Sequence, residues 1–228
     1  MTSFDVLNDI PEKLFITGID TDAGKSFATG FLAAKLAEKG VNCTTMKFVQ
    51  TGNTDMSEDI LVHRKLTGTG LKEEDRAGLT CPEIFTYPCS PDLAARIDGR
   101  EIDFRKINAS VHELLNTYDT VLIEGAGGLM VPLKEDYLTI DYIAATGMPA
   151  VLVTNGKLGS INHTLLSLYA LRQYGIELFG VIYNSYFDYD KIIAEDTRNF
   201  IRKTLDNDFP EAFFLEMGEI KGEIKIDE

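Results

Sequence analysis

A glycine-, lysine- and serine-containing segment is the part of this sequence best suited to chemistry. It reads GIDTDAGKS from Gly18 to Ser26 and lies between an apolar run and a helical pattern. Glycines let backbone N–H groups converge on a phosphate, and the positive end of a helix helps to hold it. Lys25 is predicted to reach terminal phosphates, and the Ser26 hydroxyl to hold Mg²⁺. Five residues, instead of the usual four, separate Gly18 from Gly24, and an accidental glycine turn is the alternative.

Carboxylates follow this loop in the sequence and could share its metal. Glu124 ends the apolar run TVLIE, at an edge of a parallel sheet where ligands bind. Asp59, near the start of a helix that follows Ser57, is the second candidate. Glu58 and Asp55 remain alternatives, because acidic residues favour first helical turns for dipole reasons alone.

A second lysine ends another predicted strand, in the segment KFVQTG from Lys47 to Gly52. A cation there could stabilise charge on a transferring phosphoryl group or on an oxyanion; a solvated lysine is the alternative. A further helix start, GKLGSINH from Gly156 to His163, could bind a carboxylate or a phosphate, or Ser160 could simply cap the helix.

The histidines and cysteines suggest no other chemistry. The three histidines share no metal-ligand spacing, and we expect them to be structural or exposed. The three cysteines form no CxxC pair, which argues against a disulfide framework or a zinc site and favours the cytoplasm. The N-terminal segment lacks the features of a signal peptide, and no stretch could span a membrane.

The charge balance disfavours two classes of partner. The 228 residues include 36 acidic and 22 basic ones, for a net charge of −14. Such a chain repels nucleic-acid backbones and anionic membranes at long range. We therefore expect neither nucleic acid nor membrane as a partner.

Apolar runs alternate with helical patterns along the chain. The predicted strands are Lys13–Ile19, Cys43–Val49, Thr120–Glu124, Ala150–Thr154, Phe179–Asn184 and, less distinctly, Ala212–Leu215. The predicted helices are Lys25–Lys39, Glu58–Leu66, Ile161–Tyr174 and Asp190–Leu205. This alternation predicts an α/β fold with one doubly wound, mostly parallel sheet and helices on both faces. The phosphate loop between its first strand and first helix makes the sheet one of the P-loop NTPase type. Residues 1–228 are expected to form one domain, with 1–11 a loosely ordered extension and 68–103 an excursion that bears a short helix and could cover the ligand crevice.

Taken together, these segments resemble the dethiobiotin synthetase family. The family's opening loop, Gly-Thr-Asp-Thr-x-x-Gly-Lys-Thr, has the same five-residue spacing as GIDTDAGKS. Its Lys-Pro-x-x-(Ser/Thr)-Gly corresponds to KFVQTG, in which Phe48 replaces the proline, and EGAGG and KLGSINH follow in the family's order. The segment 215–220 lacks a proline that the family uses near its base-binding end, which leaves the nucleotide preference open.

The resemblance implies ATP- and Mg²⁺-dependent closure of a ureido ring. CO2 adds to 7,8-diaminopelargonic acid to give a carbamate, ATP phosphorylates the carbamate, and the second amine displaces phosphate. Lys25 and Lys47 would be catalytic, and the metal ligands would be Ser26, Asp59 and Glu124. The implied nucleotide- and metal-binding residues are Asp22, Ala23, Gly24, Lys25, Ser26, Phe27, Asp59, Glu124, Gly125, Ala126, Gly127 and Asn184.

The resemblance also implies a homodimer whose active sites lie at the subunit interface. The implied substrate-binding residues are Thr21, Thr51, Leu158, Gly159, Ser160, Ile161 and Asn162, the last five from a neighbouring subunit. Two rivals share this type of phosphate loop. A cobyrinic-acid amide synthetase would need a glutaminase, for which this sequence leaves no room. A partner-binding switch of the ParA/MinD kind would need a second lysine where Asp20 stands.

Overall fold

The computed structural model describes residues 9–218. Residues 1–8 of the predicted N-terminal extension, and residues 219–228, lie outside the described residues. The strands are β1 (Lys13–Gly18), β2 (Cys43–Lys47), β3 (Gln50–Thr51), β4 (Ile84–Phe85), β5 (Thr120–Gly128), β6 (Pro132–Lys134), β7 (Tyr137–Leu138), β8 (Ala150–Asn155), β9 (Leu178–Asn184) and β10 (Phe213–Met217). The helices are α1 (Lys25–Glu38), α2 (Glu58–Thr67), α3 (Glu73–Arg76), α4 (Pro91–Ile97), α5 (Phe104–Leu115), α6 (Thr139–Thr146), α7 (Ser160–Gln173) and α8 (Lys191–Asp208).

A six-stranded sheet in the order β10-β9-β8-β1-β5-β2 forms the centre of the fold. Every pairing in it is parallel. Its members are the six strands that the sequence predicts. Their apolar residues run consecutively because both faces are covered: in β1, Phe15 packs into one core cluster, whereas Leu14 and Ile16 pack into the other. The predicted fold class is confirmed.

Helices cover both faces of this sheet. The buried side of α1, with Leu32 and Leu36, packs into one cluster, whereas Ile107 of α5, Ile140 of α6 and Leu168 of α7 pack into the other. Strand β1 lies between β5 and β8, so the chain extends the sheet in opposite directions from it. In open α/β sheets, ligands bind beside the carboxyl ends of strands at such a switch point.

The segment 68–103 differs from the prediction. It contains two short helices, α3 and α4, and the strand β4, instead of one short helix. Strand β4 pairs with β3, so that Phe85 lies beside Thr51 in a two-stranded sheet. None of residues 68–103, all of which are described, lines the central cavity. The segment instead pairs with the strand that carries Thr51. The expectation that it covers the crevice is not met.

The sequence also left α5, α6 and the antiparallel β6–β7 pair unpredicted. Within residues 9–218, no helix combines the length and the apolar character needed to cross a bilayer.

Candidate active site

The loop between β1 and α1 has the geometry of an anion site. Gly24 caps α1 with φ 89°, a left-handed conformation that favours glycine. A Cβ atom there would lie 2.3 Å from Nδ2 of Asn184, so the space also requires glycine. The Lys25 ammonium donates to the carbonyl oxygens of Asp20 (2.9 Å) and Thr21 (3.1 Å), back across the loop. A bound phosphate would offer this ammonium a stronger, charged acceptor.

Two carboxylates from different elements converge on Ser26. Its Oγ lies 2.7 Å from Oδ1 of Asp59 at the start of α2, and 2.9 Å from Oε1 of Glu124 on β5. Glu58 and Asp55 are exposed and do not line the cavity. Of the three acidic candidates in that segment, the structure therefore brings Asp59 to Ser26.

Lys47 lies between the same two carboxylates. Its Nζ is 2.6 Å from Oδ2 of Asp59, 2.9 Å from Oε1 of Glu124 and 3.1 Å from the carbonyl oxygen of Gly125. Since an ammonium has three hydrogens, these partners satisfy it completely.

The electrostatics of the buried pair follow from these contacts. Burial alone would lower the pKa of Lys47, but Glu124 and Asp59 outweigh it and raise that pKa. Burial alone would raise the pKa of Glu124, but Lys47 and a hydrogen bond from His63 outweigh it and lower that pKa. Both groups are therefore charged near neutral pH.

Lys25 has a different environment. Burial and, to a smaller extent, the neighbouring Lys47 lower its pKa to about 8, against the opposing effect of Glu124 and Asp59. The carbonyl oxygens that it contacts are dipoles, which stabilise an ammonium less than carboxylates do.

These groups open into one cavity of about 870 Å³. The sequence-predicted residues that line it are Thr21, Asp22, Gly24, Lys25, Ser26, Phe27, Lys47, Thr51, Asp59, Glu124, Ala126, Gly127 and Asn184. The predicted residues Ala23 and Gly125 lie behind the cavity wall, where their carbonyl oxygens accept from Asn184 and Lys47.

The predicted substrate-binding residues 158–162 do not line this cavity. Leu158, two residues before α7 begins, is 86% exposed. Gly159, with φ 96°, is the N-cap of that helix, so the alternative of Ser160 as the cap is wrong. The Ser160 hydroxyl instead donates to Oδ1 of Asn155, which fastens the turn to the end of β8.

Asn184 ends β9 beside the phosphate loop. Its Nδ2 donates to the carbonyl oxygen of Ala23 at 3.1 Å, and its Oδ1 accepts from the backbone N–H of Tyr186 at 3.1 Å. A side-chain amide has two donor hydrogens and two acceptor lone pairs. One of each therefore remains for a ligand.

Several cavity residues were missed by the sequence interpretation. Tyr186 and Phe187 line the cavity next to Asn184, and Lys157 lies with its Nζ 3.9 Å from the centre of the Phe187 ring. Gln50 also lines it, and its Oε1 accepts from Ser57, the residue that caps α2. Gln50 follows the end of β2, Lys157 follows β8, and Tyr186 and Phe187 follow β9. Because the carboxyl ends of these strands meet at one edge of the sheet, those positions were the sequence signal that could have placed the four residues at the site.

The fold and this site define a P-loop nucleotide-binding protein of the α/β class. A protein-family profile described as "AAA domain" matches residues 12–218. The structure of pNOB8 ParA bound to nonspecific DNA aligns with a TM-score of 0.52 and 15% identity, covering 93% of this chain and 90% of that chain. At that identity the likeness shows the fold alone.

Relatives of known name are much more similar in sequence. ATP-dependent dethiobiotin synthetase BioD 2 of Pasteurella multocida is 49% identical over 88% of this chain and 94% of its own length. The Haemophilus influenzae protein of the same name is 53% identical over 80% of this chain and 95% of its own length. The enzyme BioD of Chlorobaculum tepidum is 50% identical over 85% and 81%, respectively. The chain belongs to the ATP-dependent dethiobiotin synthetase family.

Proposed function

We propose that this chain is the ligase that its family membership indicates, using ATP to convert 7,8-diaminopelargonic acid and CO2 into dethiobiotin. CO2 and one amine form a carbamate. The carbamate oxygen attacks the γ-phosphorus of ATP and releases ADP. The second amine then attacks the carbamoyl carbon, and phosphate leaves as the ring closes.

The observation that carries this proposal is the placement of Lys47. It is a buried, charged ammonium that shares a cavity with the phosphate loop, yet comes from a different strand. A carbamate and a transferring phosphoryl group are both anionic, so a second cation in the same cavity as Lys25 stabilises the charge that moves between them. Thr21 and Thr51 line the same cavity, and we assign them to the diamine end of the substrate.

The residues around Ser26 fit Mg²⁺. The Ser26 hydroxyl has one hydrogen but two carboxylate oxygens within 2.9 Å, and hydroxyl and carboxylate oxygens are the donors that this cation prefers. Among residues 9–218, no group of three or more His, Cys, Asp or Glu could hold a metal by itself, so nucleotide oxygens would complete the set. When bound, Mg²⁺ would neutralise charge on the phosphates.

Chemistry of this kind depends on position more than on proton transfer. A carbamate decomposes readily and a carbamoyl phosphate hydrolyses, so the chain must orient the diamine and exclude water. Within the described residues, no histidine lines the cavity, which agrees with a small demand for acid–base groups.

We further propose a homodimer in which residues 158–162 of one subunit bind the substrate carboxylate at the other's active site. The exposure of Leu158 and the absence of residues 158–162 from the chain's own cavity lining support it. The cytoplasmic location stays a prediction from the sequence.

The direct test is a coupled product assay. Purified protein with diaminopelargonate, bicarbonate and Mg-ATP should release phosphate in step with dethiobiotin, which mass spectrometry detects. Phosphate release that ignores the diamine would refute the proposal and revive the partner-binding switch.

A further inference from the structure

His63 makes a contact that the proposed reaction does not use. It is fully buried on the second turn of α2, and its Nε2 lies 2.7 Å from Oε2 of Glu124. The other oxygen of that carboxylate, Oε1, faces Lys47 and Ser26, both at 2.9 Å. Oε2 of Glu124 thus contacts a residue of α2, whereas Oε1 contacts two residues that line the cavity.

The helix places His63 for this contact. Asp59 and His63 are four residues apart on α2, so they project from the same face. This face meets the first turn of α1, where Asp59 contacts Ser26, and the middle of β5, where His63 contacts Glu124. Gly30 of α1 lets α2 lie this close, because a Cβ there would come within 2.6 Å of the Leu66 side chain and 3.3 Å of Cα of His63.

The hydrogen-bond direction is fixed by chemistry. A carboxylate oxygen only accepts, so the Nε2–H of His63 donates to Glu124. Nδ1 of His63 is buried and has no hydrogen-bond partner among the described residues. Leaving Nδ1 unsatisfied costs free energy. In the described part of the chain, the hydrogen bond from Nε2 to Glu124 is therefore the single hydrogen bond of this ring.

We propose that His63 is a positioning residue, which holds Oε2 of Glu124 so that Oε1 faces Ser26 and the metal–nucleotide complex. A free carboxylate could rotate about its terminal bond and alternate its oxygens, whereas one fixed at Oε2 presents Oε1 in one place. Partners that hydrogen-bond to ligating carboxylates are worth about 10- to 100-fold in metal affinity or activity.

This proposal rests on the proposed binding of Mg²⁺ and nucleotide, but not on the identity of the diamine. The experiment therefore measures Mn²⁺ binding, by electron paramagnetic resonance, to the full chain saturated with the non-hydrolysable analogue AMPPNP. His63→Leu fills the space without a donor, and His63→Gln places an amide N–H near the position of Nε2. Val62→Ala, a buried neighbour on α2, is the control for lost packing.

His63→Leu should weaken Mn²⁺ binding by about 10-fold or more, without weakening the binding of AMPPNP in the presence of EDTA. His63→Gln should restore most of the Mn²⁺ affinity, and Val62→Ala should lower the melting temperature only. A smaller loss in His63→Leu, no rescue by His63→Gln, or an equal loss in Val62→Ala would overturn the proposal. Should His63→Leu fail to fold, His63→Asn, whose shorter amide cannot reach Oε2, takes its place.

The product assay separates this proposal from the proposed function. If no dethiobiotin forms but Mn²⁺ affinity follows the residue at position 63, the reaction is wrong and the positioning role stands. If dethiobiotin forms and His63→Leu binds Mn²⁺ normally, the reaction stands and the positioning role is wrong.

Discussion

Two lysines of one cavity have opposite electrostatic environments. Lys47 contacts two carboxylates, which raise its pKa in spite of burial. Within residues 9–218, the Lys25 ammonium contacts only carbonyl oxygens, and burial is the main cause that lowers its pKa to about 8. Lys47 is therefore a permanent cation near neutral pH, whereas Lys25 depends on an anionic ligand to keep its charge at alkaline pH.

Nucleotide affinity should therefore fall as the pH rises through about 8, the value to which burial lowers the Lys25 pKa. Bound phosphate favours the charged ammonium, and above that pKa each pH unit weakens binding by up to about tenfold. The dissociation constant of AMPPNP, measured by calorimetry between about pH 7.5 and 9.5, checks this. In Lys25→Arg the guanidinium stays charged, so its affinity should not vary over that range; the same slope in both proteins would assign the titration elsewhere.

Lys47→Ala should lose turnover far more than nucleotide affinity. Removing a cation that faces developing charge costs about 100- to 1,000-fold in kcat, whereas Lys25 and the loop amides still hold the phosphates. Glu124 would also lose its buried cationic partner, at about 3–5 kcal/mol of stability, so activity is measured well below the melting temperature. Lys203→Ala, on the exposed side of α8, is the control, and a normal kcat in Lys47→Ala would remove Lys47 from the mechanism.

At the scale of elements, the site depends on how β1 turns into α1. Gly24→Ala should weaken nucleotide binding by about tenfold, the cost of disturbing one hydrogen bond, because its Cβ would meet the Asn184 amide at 2.3 Å. Gly40→Ala is a matched control, with φ 82° against 89° for Gly24 and nothing within 4 Å of its Cβ. The left-handed backbone alone should cost each variant about 1–2 kcal/mol in the free energy of unfolding, so the contact with Asn184 is what distinguishes Gly24→Ala. Equal affinities by calorimetry would mean that Asn184 moves aside freely.

Most of the sheet and its phosphate loop could be predicted from sequence because those signals are local. A buried parallel strand is a continuous apolar run, and the loop needs glycines at set positions. Helix α5 had a local signal too: Asp103 caps it, and Ile107, Val111 and Leu114 follow at helical spacing. Its omission was a fault of interpretation.

Other parts could not be predicted because their cause is tertiary. Strands β3 and β4 have two residues each and exist through pairing with each other. The contact between His63 and Glu124 joins residues 61 apart in the chain, and it depends on the packing of α2 against the sheet. The spacing of His63 from Asp59 was the one signal, and it mattered only once Asp59 was placed in the site.

At the scale of the whole molecule, the charge of −14 opposes the proposed ligands, which are themselves anions. Long-range electrostatic attraction therefore cannot steer these anionic ligands to the cavity. The cavity compensates locally, with Lys25, Lys47 and Lys157 in its lining. Since burial in a low dielectric strengthens such contacts, a few cations can outweigh the mean surface charge at short range.

The proposed dimer predicts that two defective variants can repair each other. Lys47→Ala disables the cavity. Asn162→Asp places a negative charge on the exposed first turn of α7, within the segment 158–162 assigned to the substrate carboxylate. If residues 158–162 serve the partner's site, a mixed dimer has one site with both defects and one with neither. Random exchange makes half of the dimers mixed, so about a quarter of the normal activity should return.

The test unfolds, mixes and refolds equal amounts of the two inactive proteins and measures dethiobiotin formation. Lys47→Ala mixed with Lys25→Met is the control, because both defects lie in the same subunit's cavity and no mixed site escapes both. Recovery in the first mixture alone supports a site shared between subunits. If sedimentation shows dimers but neither mixture recovers, residues 158–162 serve their own subunit, and the turn must move to reach the cavity.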